Sequence, residues 1–79
     1  MSYPSITMYS KPSCVQCTAT ERWLTSRDIP FDKIDVTKDE AALDFTKSLG
    51  YLQAPVIYID ENAHWSGFDP GQLSENLED

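Results

Sequence analysis

The stretch Tyr9-Ser10-Lys11-Pro12-Ser13-Cys14-Val15-Gln16-Cys17 decides how this chain is read. Upstream of its turn, residues 4–9 alternate and carry β-prone side chains, which predicts a first strand. Ser10-Lys11-Pro12-Ser13 is turn chemistry. Downstream, Val15, Ala19, Trp23 and Leu24 recur at helical spacing, which predicts a helix from about Cys14 to Arg27. Asp28 and Ile29-Pro30 end it, because the residue before a proline avoids the α region. The two cysteines therefore open a helix that follows a strand and a turn. Unpaired backbone N–H groups converge there and the helix dipole is positive, and both stabilise a thiolate at Cys14. Three residues on, Cys17 returns to the same side one turn deeper, placed to resolve a mixed disulfide formed at Cys14.

Other chemistries for this pair fit worse. A structural zinc site wants four ligands, and the chain offers two cysteines and a distant His64. Haem attachment needs histidine directly after the second cysteine, where Thr18 stands. A structural staple across so short a loop gains little by loop entropy. What remains is a catalytic dithiol.

Working outward, residues 31–36 predict a second strand. Thr37-Lys38-Asp39-Glu40 reads as a capping box with Thr37 at the N-cap. The helix it opens should bury Ala42, Leu43, Phe45 (or Thr46) and Leu49, with Gly50 as its left-handed end. Val56 to Ile59 is the third strand, Asp60-Glu61-Asn62-Ala63 a hairpin connection, and His64-Trp65 a short fourth strand. Asp69 at N-cap and Pro70 at N1 start a last helix. The expected order is β-α-β-α-β-β-α, an α/β domain with a mixed four-stranded sheet covered by three helices. Its first crossover should be parallel and right-handed.

Length and charge set the bounds. Seventy-nine residues allow one domain, 1–79, and no linker. Thirteen acids against six bases give −7, which argues against a nucleic-acid partner. All six bases lie before residue 48, and residues 48–79 carry six acids and no base. That half is a solvated acidic face or a field that steers encounter with a basic surface. No apolar run approaches the ~18 residues of a membrane span, so no membrane partner is expected. The opening Met1-Ser2-Tyr3-Pro4 lacks a basic region and an apolar run, so the cytoplasm is the expected compartment.

Three segments together carry a family resemblance. Tyr9-Ser10-Lys11-Pro12 leading to Cys14-Val15-Gln16-Cys17, then Leu52-Gln53-Ala54-Pro55-Val56, then His64-Trp65-Ser66-Gly67-Phe68 resemble the NrdH-redoxins. The match runs nearly the whole chain in register. It implies a thioredoxin-like fold and a small electron carrier that works through a redox-active Cys14–Cys17 disulfide; no cofactor and no metal are required, and a monomer is expected. The implied partners are thioredoxin reductase as donor and the large subunit of class Ib ribonucleotide reductase as acceptor. Where the family usually has Arg after Phe68, this chain has Asp69, which puts partner choice in question.

The resemblance also marks binding residues. Ala54-Pro55 matches the family's cis-proline loop, whose backbone would pair with an extended substrate segment. From sequence alone, a trans proline at a strand's first residue is the commoner case. Trp65, Ser66, Gly67 and Phe68 read either as an apolar docking rim or as a turn with core aromatics. Lys11 either adds positive potential at Cys14 or is a solvated turn lysine. Asp69 either caps a helix or, as in ordinary glutaredoxins, holds the amino end of glutathione. His64 has no partner that would make it a base and is expected on an exposed strand position, while Trp23, Phe45 and Tyr58 read as core.

Two alternatives stay open. One is a glutathione-dependent glutaredoxin. Against it, residues 48–79 supply most of the groove and no cation, leaving a carboxylate of glutathione only Lys11 and backbone amides. The other is a scaffold that holds an iron–sulfur cluster between two chains, which visible absorbance would reveal.

Overall fold

The computed structural model describes residues 4–78. Residues 1–3, read above for a targeting signal, lie outside the described residues, as does residue 79. Seven elements follow in the expected order: β1 (Thr7–Ser10), α1 (Val15–Ser26), β2 (Asp32–Asp35), α2 (Glu40–Ser48), β3 (Val56–Asp60), β4 (Ala63–Ser66) and α3 (Pro70–Leu77). The strands lie in the order β2-β1-β3-β4. β1 pairs parallel with β2, as the crossover demands, and β3 pairs antiparallel with both β1 and β4. The first strand is shorter than the sequence suggested, although the Ile6 carbonyl already accepts from Asp32 N–H at 2.8 Å.

The two sheet faces hold different chemistry. Met8, Ile57 and Trp65 sit opposite one another across β1, β3 and β4 and form one apolar row. With Ile6, Leu24, Ile29, Leu73 and Leu77 they build the buried core against α1 and α3. Each large side chain fully buried there stabilises the fold by roughly 1.5–3 kcal/mol. The opposite face is aromatic. Phe45 of α2 meets Tyr9 at 5.7 Å and Tyr58 edge-on at 5.1 Å between ring centroids. Tyr58 stacks on His64, and the Tyr51 hydroxyl lies 2.7 Å from His64 Nδ1. His64 is therefore a half-buried partner of this cluster and does not occupy the open strand position its sequence context suggested.

Helix ends correct one expectation. The N-cap of α2 is Asp39, whose Oδ1 accepts from Ala42 N–H at 3.0 Å. Thr37 does not cap the helix, because Asp35 Oδ1 has captured both its N–H and its hydroxyl in a local turn. Asp39→Ala should cost about 1 kcal/mol, seen as a Tm lower by roughly 4–8 °C, and Thr37→Ala less than about 0.5 kcal/mol. Paired thermal melts check this. At the other end, Tyr51 N–H reaches Thr46 O (3.2 Å) and Gly50 N–H reaches Lys47 O (2.9 Å), with Gly50 at φ +91°. Asp28 closes α1 in the same two-bond manner at φ +55°.

Candidate active site

The first turn of α1 positions both cysteines. Cys14 is the N-cap, in extended conformation, and its Sγ accepts the backbone N–H of Cys17 at 3.1 Å. The sulfur thus stands where Ser or Asp oxygens cap other helices, and an N–H aimed at it favours the thiolate over the thiol. Ser13, just before it, takes the left-handed region at φ +56°, which turns the chain sharply from β1 into the helix. Cys14 and Cys17 are joined as a disulfide with Cα atoms 5.2 Å apart. Cys14 is half-buried, whereas Cys17 is 5% exposed. Geometry alone separates an accessible sulfur from a protected one.

Opposite the disulfide lies the loop before β3. The Ala54–Pro55 peptide is cis, as the resemblance implies. The Ala54 carbonyl oxygen is 3.7 Å from Cys14 Sγ. Pro55 itself is buried. The loop is fastened to β4 and the segment after it: Ser66 Oγ donates to Gln53 O (2.9 Å), and Gly67 N–H donates to Pro55 O (2.8 Å). Ser66 and Gly67 therefore hold the loop through its main chain.

Trp65 requires a correction. Its ring belongs to the core row and is 6% exposed, so it does not form a docking rim. In a four-residue strand the pleat alone decides which side chain points inward, and Trp65 pairs with the buried Ile57. Phe68 is half-buried against the core. The exposed apolar surface is carried instead by Val15 (85% exposed) and Leu52 (88%). Val15, counted above toward the helix's apolar pattern, faces out beside Cys14, and no periodicity signal marked Leu52.

Two hollows flank the disulfide turn, and exposed Lys11 borders both. One, about 230 Å³, runs from Ala54 between α2 and β1 and is lined by Tyr9, Val36, Leu43, Tyr51 and Leu52, with Lys47 at its side. Lys47 was not expected there, so the groove has two cations where the sequence suggested Lys11 alone. Burial, then the nearby charges of Tyr58 and Asp39, push the Tyr9 hydroxyl above its usual pKa, so it stays protonated at neutral pH. The wider hollow is lined by Cys14, Val15, Cys17, Glu21 and Lys33. Glu21 and Lys33 pair across it at 3.3 Å. Asp69 caps α3, its Oδ1 accepting from Gln72 N–H at 3.1 Å.

The comparisons with known proteins agree with this geometry. The sequence profile of the glutaredoxin family matches residues 6–65. The glutaredoxin-like protein NrdH of Lactococcus lactis subsp. lactis is 36% identical over 70 residues, spanning 89% of this chain and 96% of its own. The chain belongs to the NrdH-redoxins, within the glutaredoxin family. NrdH of Escherichia coli K12 is 36% identical to the redoxin over 69 residues, 87% of this chain and 84% of its own. The solved NrdH-redoxin from Escherichia coli superposes with a TM-score of 0.85 at 34% identity, covering 90% of the redoxin and 92% of that chain. The fold is thioredoxin-like. With Cys14 and Cys17 placed as described, the redoxin is a thiol–disulfide oxidoreductase. Among the described residues, no helix is long and apolar enough to cross a membrane.

Proposed function

We propose that the redoxin is a cytoplasmic, monomeric electron carrier that takes two electrons from thioredoxin reductase and delivers them to the large subunit of class Ib ribonucleotide reductase. In the forward step, the Cys14 thiolate attacks one sulfur of the acceptor's disulfide and expels the other as a thiolate. The deprotonated Cys17 then attacks Cys14 Sγ, freeing the acceptor's second thiol and leaving the Cys14–Cys17 disulfide. Thioredoxin reductase returns two electrons to that disulfide, drawn from NADPH. The cysteine pair itself carries the electrons, and no metal or bound cofactor enters the cycle.

Catalytic roles follow from placement. Cys14 attacks and Cys17 resolves. Lys11 adds positive potential at the thiolate, and the main chain of Ala54, held by Pro55, Ser66 and Gly67, pairs with the acceptor segment. Val15, Leu52 and Phe68 supply apolar contact, worth roughly 25 cal/mol per Å² buried.

One observation carries the choice of reductant. The polar groups around Ser66-Gly67-Phe68-Asp69 are already engaged internally: Gly67 N–H on Pro55 O, Phe68 N–H on Gln16 Oε1, and Asp69 Oδ1 on Gln72 N–H. A small thiol peptide finds few free groups there, whereas a protein reductase can use the apolar surface. The thioredoxin-like activity profile ascribed to the Escherichia coli relative points the same way. Lys47, which lines the same hollow as Lys11, favours the second reading, a glutathione-dependent glutaredoxin, since the two could take glutathione's carboxylates.

NADPH consumption discriminates the two. Thioredoxin reductase should keep the redoxin turning over on a disulfide substrate, and with reduced large subunit as product, ribonucleotide reduction should follow. Glutathione with its reductase should give a much lower rate. A glutathione-coupled rate that matches or exceeds the other, and that Asp69→Asn abolishes, would establish the second reading.

A further inference from the structure

We propose that Gln16 is the residue that keeps the cis-proline loop in register with Cys14 when the substrate is a protein disulfide. The inference rests on the reading of the redoxin as a reductase of protein disulfides and adds to it a positioning residue that the sequence did not single out.

Gln16 stands between the two cysteines, on the first turn of α1. Its main-chain carbonyl accepts from Thr20 Oγ1 at 2.8 Å. Its side chain leaves the helix, and Oε1 accepts the Phe68 N–H at 2.9 Å, joining residues 52 positions apart. The segment it meets is shaped around that oxygen. Gly67 has φ +89°, and a Cβ at this position would lie 3.0 Å from Gln16 Oε1. Gly67 N–H in turn holds Pro55 O at 2.8 Å, and Ala54 O lies 3.7 Å from Cys14 Sγ.

These contacts close on themselves. From Cys14 the ring passes to Ala54–Pro55, to Gly67-Phe68, to Gln16, and back to Cys14 through one turn of helix. Apart from the Cys14 sulfur and the Gln16 side chain, every link is main chain. Gln16 is thus where a substitution opens the ring without altering the reacting group.

The ring matters for one class of substrate. An extended protein segment must pair with the Ala54 main chain while its disulfide reaches Cys14, so both must be held at a fixed separation. A small disulfide needs only the sulfur. Gln16 therefore acts on protein disulfides through Ala54 and leaves the intrinsic thiol chemistry alone.

The test uses Gln16→Leu, which keeps volume but removes the acceptor, and Gln16→Glu, whose carboxylate accepts the same N–H. Each chain is pre-reduced and mixed with rising concentrations of insulin, or with the small aromatic disulfide 5,5′-dithiobis(2-nitrobenzoate), while single-turnover oxidation is followed. Gln16→Leu should raise the half-saturating insulin concentration roughly three- to tenfold, the range set by one ordinary hydrogen bond, with the limiting rate retained. Its rate with the small disulfide should stay within about twofold of the parent, and Gln16→Glu should restore insulin saturation. An unchanged insulin constant in Gln16→Leu overturns the proposal. So does equal slowing with both substrates, which would place Gln16 in the sulfur chemistry, or a failure of Gln16→Glu to rescue. If the parent chain oxidises with the small disulfide but not with insulin, the underlying reading fails first, and the proposal with it.

Discussion

Cys14→Ser should abolish disulfide reduction, a loss of roughly a thousandfold or more, and should trap no adduct with substrate. Cys17→Ser should behave differently. It should still attack and then stall as a mixed disulfide through Cys14, because a serine hydroxyl cannot displace the bound thiol. The asymmetry follows from the first turn of α1. Cys14 Sγ caps the helix, receives the Cys17 N–H at 3.1 Å and is half-buried, whereas Cys17 is 5% exposed. Intact-mass spectrometry after reaction with a protein disulfide distinguishes the variants. Alkylation of the reduced chain near neutral pH gives the independent check: label should enter Cys14 first, and faster labelling of Cys17 would reverse the assignment.

The second large effect concerns the core. Leu24→Ala should destabilise the fold by about 3 kcal/mol, which for a domain of this size lowers Tm by roughly 12–24 °C. Leu24 is fully buried where α1 meets the Met8, Ile57 and Trp65 row, next to Leu73 and Leu77. A chain of 79 residues buries a smaller share of its surface than larger domains do, so a loss of this size is a large part of its total stability. Val15→Ala, nine residues earlier on the same helix, should cost less than about 0.5 kcal/mol, since Val15 is 85% exposed. Thermal or urea unfolding followed by circular dichroism measures both. Comparable losses would mean that α1 packs by a different face.

What the sequence disclosed, and what it hid, divides along physical lines. Element order, the parallel crossover and the place of the dithiol were legible because each rests on local signals: period, proline and glycine punctuation, and a strand–turn–helix context. The cap of α2 was misread because Thr37 and Asp39 are both good caps two residues apart. Asp35 settles the matter by binding Thr37, a competition between neighbours that a motif does not express. Trp65 stayed undecided between rim and core for another reason. Its inward face depends on pairing with Ile57, and period-two alternation in so short a strand carries no sign. His64, Lys47 and Gln16 owe their roles to residues distant in sequence, and nothing in their own neighbourhoods announces Tyr51, the hollow beside Ala54 or the Phe68 amide.

The strand order has a consequence for how these molecules behave when crowded. Among the described residues β2 is an outer strand, paired only with β1, so its other side presents open backbone donors and acceptors. Such an edge is a template for another chain to extend the sheet. Three of its four residues, Asp32, Lys33 and Asp35, are charged, and any chain adding a strand there must bring its own side chains against them. Charges on an edge strand are a recognised guard against runaway strand pairing. At the opposite edge β4 is, like β2, only four residues long, and neither edge offers much length to pair with. Extension of the sheet by a second copy of this chain is thereby disfavoured at both edges.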